Sequence, residues 1–417
     1  MRSLALILIA SVCGVGCGFA PAPATGVGDD LPVDAAAGDA NELAGPCGSP
    51  GAIHDNFDDP TAPAMWNVDV VGGTVVRQNS RLVVTPTGTP FAGYIAKHLV
   101  ALTGAAIEVE VPQMLDVTTN GLAELYVEQD NMHFVAISQK HGMLTAQVTN
   151  GVQTLTMSSP YDSIAHRFWR ISELNAMLHF EASPDGVTWA QLLVTPTPAF
   201  VTTVRIDLGV NGDPAKASGS VAFDNLNTQV PSATWCKAAT FTDDFQRTTF
   251  GTAWLNRYTS GGGCAMSINN GAHLDQNVLP AICYLGSSHA FDLTESTASA
   301  LIYSITHYTS TWYTYLTVAS DDGHVANLAF NNNQMCVTID GGQNMCRDYV
   351  TSESYWRIRE AAGMTVFETS VDKSTWLPVT SMADPFPLQA VEIRIGTLTK
   401  NDLSGNHIGL TVSAYNN

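Results

Sequence analysis

Two glutamates, Glu124 and Glu128, are spaced so that both would lie on one face of a β-strand. Strand side chains alternate between the two faces, so positions an even number of residues apart point the same way. Retaining glycosidases need two carboxyl groups about 5–5.5 Å apart, one of which is the nucleophile. A matching strand later in the chain, residues 315–319, carries no acid. We therefore expect the two glutamates to lie on a solvated face, in a protein that is not an enzyme.

Acidic side chains also stand at two matching places, before the first strands of each half of the chain. They are Asp55, Asp58, Asp243 and Asp244. Calcium takes roughly six to eight oxygen ligands, so these carboxylates could supply only part of a calcium site. Two interpretations stay open: a structural calcium ion, or capping of the strand start and solvation of a sheet edge. No other cofactor is expected.

Four aromatic residues in the second half form a candidate ligand-binding cluster. They are Tyr308, Trp312, Tyr313 and Tyr315. Leu316 and Val318 match apolar residues of the first half and are expected in the core, so alternation puts Tyr313 and Tyr315 on the opposite face. Exposed aromatic patches mark interaction sites, and sugar rings stack on such rings in many lectins. The alternative is that these residues only cover the sheet or lie under the other half.

Six cysteines outside the N-terminal segment predict disulfides in an exported protein. They are Cys47, Cys236, Cys264, Cys283, Cys336 and Cys346. Cys336 and Cys346 flank a hairpin turn and could pair across two strands. Cys264 and Cys283 bracket one β-rich stretch, which leaves Cys47 with Cys236 as a clasp on the ends of the first half. A zinc site is not expected, because no Cys-x-x-Cys is present.

The chain contains the same block twice. Trp169 and Trp189 have the same spacing as Trp356 and Trp376, and the second pair follows at an offset of 187 residues. An offset of this length indicates whole duplicated domains rather than a solenoid.

Each block ends in a turn motif, which begins at Ser183 in the first copy. We expect a β-turn with Trp169 and Trp189 packed behind it. In the second copy Lys373 replaces Gly186, so we expect that turn to close differently.

Short runs of alternating polar and apolar residues fill both copies, as in residues 106–111 and 391–395. Such alternation is typical of antiparallel sheets with one buried face. Together with an opening Asp-x-Phe…Trp and a Leu-Thr-Gly, the Trp-Arg-Ile block resembles the concanavalin A-like lectin/glucanase superfamily, including laminin G-like modules. The resemblance implies an all-β fold of two tandem antiparallel jelly-roll sandwiches.

That superfamily includes lectins, adhesion modules and glycanases, so its fold does not choose a function. Its glucanases carry Glu-x-Asp-x-x-Glu on one strand, and residues 124–128 have Tyr126 in place of the aspartate. We therefore expect non-catalytic binding of a polysaccharide or a cell-surface glycan through the aromatic cluster. The alternative is an adhesion or scaffold module that binds a protein partner.

The N-terminus has a short basic start and an apolar run too short to span a bilayer, which indicates a signal peptide. Gly16-Cys17 at its end resembles a bacterial lipobox, with Cys17 as the lipidated residue and Gly18 favouring the outer membrane of a Gram-negative bacterium. The expected segments are residues 1–16 as signal, 17–46 as a disordered tether, 47–236 as the first sandwich and 237–417 as the second.

The formal net charge is −20, from 38 acidic and 18 basic residues. An acidic chain repels phosphate backbones, so nucleic acid is not expected as a partner. The expected partners are a glycan or a surface protein, and the membrane through the lipid anchor.

Overall fold

The computed structural model describes residues 47–416 without residues 88–90, 117–120, 212–218, 255, 261–263, 277–281, 307–311, 343 and 400–407. The predicted signal segment, the tether, Cys17 and Tyr308 lie outside the described residues, as does the side chain of Trp312. The regular structure of the described part is β-strand, apart from four short 3-10 helices at Pro50–Ala52, Ala199–Thr202, Ala238–Thr240 and Thr252–Trp254. None of its helices is long and apolar enough to cross a membrane.

Among the described residues, fourteen strands of the first half form two sheets, which we call A and B. The strands are β1 (Trp66–Asp69), β2 (Gly73–Arg77), β3 (Leu82–Pro86), β4 (Ala92–Ala96), β5 (Ala106–Gln113), β6 (Leu122–Asp130), β7 (His133–Lys140), β8 (Met143–Asn150), β9 (Gln153–Pro160), β10 (Phe168–Leu174), β11 (Met177–Ser183), β12 (Ala190–Pro196), β13 (Arg205–Asn211) and β14 (Val221–Asp224). Sheet A has the order β1-β4-β13-β6-β7-β8-β9, and sheet B has the order β12-β11-β10-β5-β14-β3-β2.

In the described part of the second half, sixteen strands form sheets C and D. They are β15 (Cys236–Lys237), β16 (Asn256–Ser260), β17 (Cys264–Ile268), β18 (Ala272–Gln276), β19 (Ile282–Gly286), β20 (Phe291–Asp292), β21 (Thr297–Thr306), β22 (Trp312–Ser320), β23 (Val325–Asn331), β24 (Gln334–Ile339), β25 (Met345–Asp348), β26 (Tyr355–Ala361), β27 (Met364–Ser370), β28 (Trp376–Ala383), β29 (Val391–Thr399) and β30 (Ile408–Tyr415). Sheet C has the order β15-β20-β29-β22-β23-β24-β25, with β19 also paired with β29 and β16 paired with β19. Sheet D has the order β17-β18-β30-β21-β26-β27-β28.

The two halves have matching topologies. Strands β4, β13, β6, β7 and β8 of sheet A correspond in order to β19, β29, β22, β23 and β24 of sheet C. Each half buries its own apolar core between its two sheets, with Trp169 and Trp356 fully buried at matching places. Both halves fall within one compact unit. The predicted all-β fold class is confirmed, and its antiparallel pairing has one exception in the parallel pair of β15 with β20.

The second tryptophan of each repeat does not pack the core as expected. Trp189 is only half-buried, and the guanidinium of Arg170 lies 3.9 Å from its ring centroid. In the second half Arg357 covers Trp376 at 3.7 Å. Arg170 alternates with the buried Trp169 and so points outward, where it can stack on the ring. The motif therefore puts one tryptophan in the core and the other on the surface under an arginine.

The turn at the end of the repeat closes in the same way in both halves, which corrects the expectation for Lys373. Asp185 accepts the backbone N–H groups of residues 187 and 188 at 2.9 and 2.7 Å, and Asp372 accepts those of residues 374 and 375 at 2.9 and 2.8 Å. These bonds hold the pKa of each carboxyl at about 2. Lys373 adopts a φ of +65°, close to the +75° of Gly186, so the hydrogen bonds impose the left-handed backbone without a glycine.

The disulfides are the three pairs expected from the sequence: Cys47–Cys236, Cys264–Cys283 and Cys336–Cys346. The second joins sheet D to sheet C, and the third links the neighbouring strands β24 and β25. Cys47–Cys236 closes a span of 189 residues around the first sandwich. Such bonds persist in oxidising compartments, so they fit an extracytoplasmic protein.

Candidate functional site

A cleft of about 550 Å³ lies on the face of sheet C that points away from the core. We call it the second cleft, because the second half of the chain forms it. Leu316 and Val318 on β22 are fully buried in the core. Tyr313, Tyr315 and Thr317 alternate with them and line the cleft. The alternation predicted for this strand is therefore present in the structure.

The floor of the second cleft depends on a glycine. Gly396 on β29 lies opposite Tyr315 on one side and Tyr284 of β19 on the other. A Cβ at position 396 would approach the carbonyl oxygen of Cys283 to 2.4 Å and Cβ of Tyr284 to 2.5 Å. Only glycine therefore fits here, and its missing side chain leaves room for the two tyrosines that flank it.

An ion pair lies at one end of the floor. Arg394 donates to Glu392 two residues earlier on β29, with Nη2 to Oε2 at 2.6 Å and Nε to Oε2 at 2.9 Å. The guanidinium carbon of Arg394 lies 5.2 Å from the ring centroid of Tyr284, within cation–π range. Burial raises the pKa of Tyr315 above its ordinary value, so its hydroxyl stays protonated at neutral pH. The floor therefore offers aromatic faces and a largely compensated charge.

The wall of the second cleft is made of hydroxyl and amide groups. Thr317 donates its hydroxyl to Oδ1 of Asn327 at 2.5 Å. Thr338 donates to Oδ1 of Asn344 at 2.6 Å, and all four side chains line the cleft. Small ligand sites combine apolar or aromatic surface with a few placed polar groups, and the second cleft has this composition.

Sequence reasoning identified Tyr313 and Tyr315 but missed Tyr284, Arg394 and Asn327. The missed residues belong to β19, β29 and β23, which the fold brings beside β22. The alternation in residues 391–395 placed Arg394 on an outward face, but only the strand order shows that this is the face of Tyr315.

The corresponding face of sheet A carries a smaller cleft of about 380 Å³, here the first cleft. Glu124 lines it, yet its side chain is buried, with only 8% of the residue exposed. Burial and the nearby carboxylates of Asp207 and Glu128 raise the pKa of Glu124 to about 8. This corrects the expectation of a solvated face: Glu124 is a buried carboxyl that is mostly protonated at neutral pH.

Two further carboxylates of this face are paired with one arginine. Arg205 donates Nε to Oδ1 of Asp207 at 3.0 Å, and its Nη2 makes a short hydrogen bond to Glu128. Burial outweighs the attraction of Arg205 and raises the pKa of Asp207 to about 6. Tyr126 packs against Phe134 in a tilted arrangement, with ring centroids 4.7 Å apart, and lines the same cleft. Glu124, Glu128 and Asp207 thus lie on one face of sheet A in three different environments.

The acids considered for calcium are divided between two environments. Asp55 is buried, accepts the indole N–H of Trp66 at 3.0 Å and forms an ion pair with the buried Arg77. Asp243 likewise accepts the indole N–H of Trp254 at 2.6 Å and a hydrogen bond from Arg247 at 2.6 Å.

The other two acids, Asp58 and Asp244, are exposed and hydrogen-bond within their own loops. In the described part of the chain no group of three or more His, Cys, Asp or Glu side chains is arranged to hold a metal ion. Asp55 and Asp243 therefore have a structural role, and calcium at these residues stays an untested prediction.

Comparison with known protein families gives no matching family model, and no curated protein matches the chain. Solved structures do match. One is "Apo Crh5 transglycosylase", at 12% identity and a TM-score of 0.34, covering 43% of this chain and 85% of that one.

A Bacillus licheniformis beta-glucanase matches at 7% identity and a TM-score of 0.33, over 42% of this chain and 95% of that one. The kappa-carrageenase zobellia_236 from Zobellia galactanivorans matches at 12% identity and a TM-score of 0.29, over 42% and 92%. All three are named as enzymes, and these matches contradict the expectation that the protein is not an enzyme.

Proposed function

We propose that this protein is an extracytoplasmic glycan-binding protein, held at the outer membrane by lipid on Cys17, and that its ligand binds in the second cleft. The observation that supports the proposal is the pair of tyrosines, Tyr284 and Tyr315, on either side of Gly396. Sugar rings present C–H groups that stack on aromatic faces, and their hydroxyls need nearby donors and acceptors. The wall formed by Thr317, Asn327 and their neighbours supplies those groups.

The test is retention on a glycan array by the full-length protein purified in detergent. Tyr315→Ala removes one stacking surface and should abolish retention, whereas Tyr315→Phe keeps the ring and should retain part of it. Tyr303→Ala is the matched control, because Tyr303 is 76% exposed on sheet D and distant in the fold from the second cleft.

Melting temperatures of the three variants separate loss of ligand from loss of fold. Retention by Tyr315→Ala equal to that of the wild type would refute the second cleft as the binding site. Retention of a surface protein instead of any glycan would support the alternative, an adhesion module.

A second candidate function is cleavage of a glycosidic bond in the first cleft, and the buried Glu124 favours it. Glycosidases use two carboxyl groups in different protonation states, one to donate a proton to the leaving oxygen and one that is ionised. Glu124 is the protonated group, and Glu128, two positions along the same face, is paired with Arg205. Tyr126 replaces the aspartate that the glucanase motif carries between them.

This candidate is tested by incubating the protein with mixed-linkage β-glucan and with carrageenan and measuring new reducing ends. Activity should be lost in Glu124→Gln and kept in Glu295→Gln, since Glu295 is exposed on the second half. No release of reducing ends by the wild type from either substrate would exclude cleavage of these two polysaccharides.

A further inference from the structure

A third cavity, of about 350 Å³, lies at the junction of the two sandwiches. Asn67 and Lys97 line it from the first half, and Ala319, Glu392 and Arg394 line it from the second. Arg394 lines the second cleft as well. The cavity is therefore next to the proposed glycan site and shares a residue with it.

The first-half residues of the junction cavity lie on the cleft-bearing face of sheet A. Asn67 on β1 pairs in register with Ile95 on β4, Ile95 pairs with Asp207 on β13, and Asp207 pairs with Tyr126 on β6. Residues in register across a sheet point to the same side. One row of side chains thus runs from Tyr126 in the first cleft to Asn67 at the junction.

The second-half residues belong to the cleft-bearing face of sheet C in the same way. Arg394 pairs in register with Thr317, and Glu392 pairs with Ala319. Thr317 also lines the second cleft. The junction cavity therefore lies between the cleft-bearing face of sheet A and the cleft-bearing face of sheet C.

Direct contacts fix the junction. The backbone N–H of Leu99 donates to the carbonyl of Ser288 at 3.1 Å, and Nζ of Lys97 donates to the carbonyl of Asp321 at 2.8 Å. Nε2 of the buried His98 lies 2.7 Å from Oδ1 of Asp321. The disulfide from Cys47 to Cys236 adds a covalent link.

We propose that the second cleft is one end of a longer groove, and that a polymeric glycan crosses the junction cavity onto the face of sheet A. Glu392 compensates Arg394, and Asp321 pairs with His98, so the cavity offers polar contacts with little uncompensated charge. This arrangement suits the hydroxyls of a polysaccharide chain more than a single small sugar. The inference rests on the proposed function, since it extends that site.

The test measures binding by the full-length protein of graded oligosaccharides, prepared by partial hydrolysis of the polysaccharide that the wild type retains. We expect affinity to rise with length beyond the sugars that fill the second cleft. Asn67→Trp places a bulky ring in the junction cavity and should weaken the longest oligosaccharides by about tenfold while leaving the shortest unchanged. Val68→Trp is the matched control, because Val68 is exposed on the opposite face of the same strand.

The outcomes separate the two proposals. If Tyr315→Ala weakens every length and Asn67→Trp weakens only the long ones, both hold. If Tyr315→Ala weakens every length while Asn67→Trp behaves like Val68→Trp, the extended groove is wrong and the binding site stands. If Tyr315→Ala changes nothing, the proposed function fails and the extension fails with it.

Discussion

Arg394 occupies in the second sandwich the register position that Asp207 occupies in the first. Arg394 lies two residues before Gly396 and pairs in register with Thr317 of the second cleft. Asp207 lies two residues before Gly209 and pairs in register with Tyr126 of the first cleft. Each also forms an ion pair with the residue two positions earlier, so the charges occur in the opposite order along the strand. The two halves thus share the backbone of the cleft and carry the ion pair in opposite orders along the strand.

Gly396→Ala should distort the second cleft and destabilise the protein, because the added methyl would overlap the carbonyl of Cys283. Overpacking of this kind costs about 1–3 kcal/mol in the free energy of unfolding. Gly251→Ala is the control, since a Cβ there meets only the Arg247 side chain at 3.6 Å. Urea unfolding of both variants measures the difference. Equal stability would show that β19 can move away from β29.

The Glu124→Gln variant should lose less stability at alkaline pH than the wild type does. The pKa of Glu124 is about 8 in the folded protein and about 4.5 when unfolded, so the folded state holds the proton more tightly. Its contribution is fully present below pH 4.5 and is lost as the pH rises through 8, on the order of a few kcal/mol.

Glutamine keeps the neutral shape, so the variant should exceed the wild type in stability at pH 9 and match it at pH 5. Urea unfolding at the two pH values provides the comparison, with Glu295→Gln as control. Parallel stability profiles for the wild type and Glu124→Gln would mean that Glu124 is ionised in the folded protein.

Asp55→Ala should destabilise the protein strongly, because it leaves the buried Arg77 without its ion-pair partner and the Trp66 indole without an acceptor. Removing one partner of a buried ion pair costs about 3–5 kcal/mol. Asp58→Ala, at an exposed site, should change stability by less than about 0.5 kcal/mol. Thermal unfolding with and without a calcium chelator adds a test of the calcium prediction. A chelator effect that disappears in Asp58→Ala would show that calcium binds there.

Cys17→Ala should move the protein from the detergent phase to the aqueous phase on Triton X-114 partitioning. The reason is the loss of the lipid that the Gly16-Cys17 pattern predicts. Cys13→Ala is the matched control in the same segment and should leave partitioning unchanged. A Cys17 variant that still enters the detergent phase would show that the anchor is not lipid on this residue.

The face of Tyr315 could be predicted because its neighbour Leu316 identifies the core side of the same strand. Tyr284 and Arg394 could not be predicted as its partners, because strand order and register depend on packing across the whole sheet. The burial of Glu124 could not be predicted from the sequence either. An acid in an alternating strand has the pattern of a solvated residue, and its burial depends on β7 and β13, the two strands that pair with β6 in the folded sheet.

The disulfide between Cys47 and Cys236 also determines how the molecule would carry mechanical load. Cys236 begins β15, which pairs with β20 in the sheet of the second cleft. If the chain is held at its N-terminal side and a polymer pulls on the second cleft, tension passes from Cys47 through the sulfur atoms to Cys236. The 189-residue span of the first sandwich lies outside that covalent path. The first sandwich would therefore stay folded under a pulling force until the disulfide is reduced.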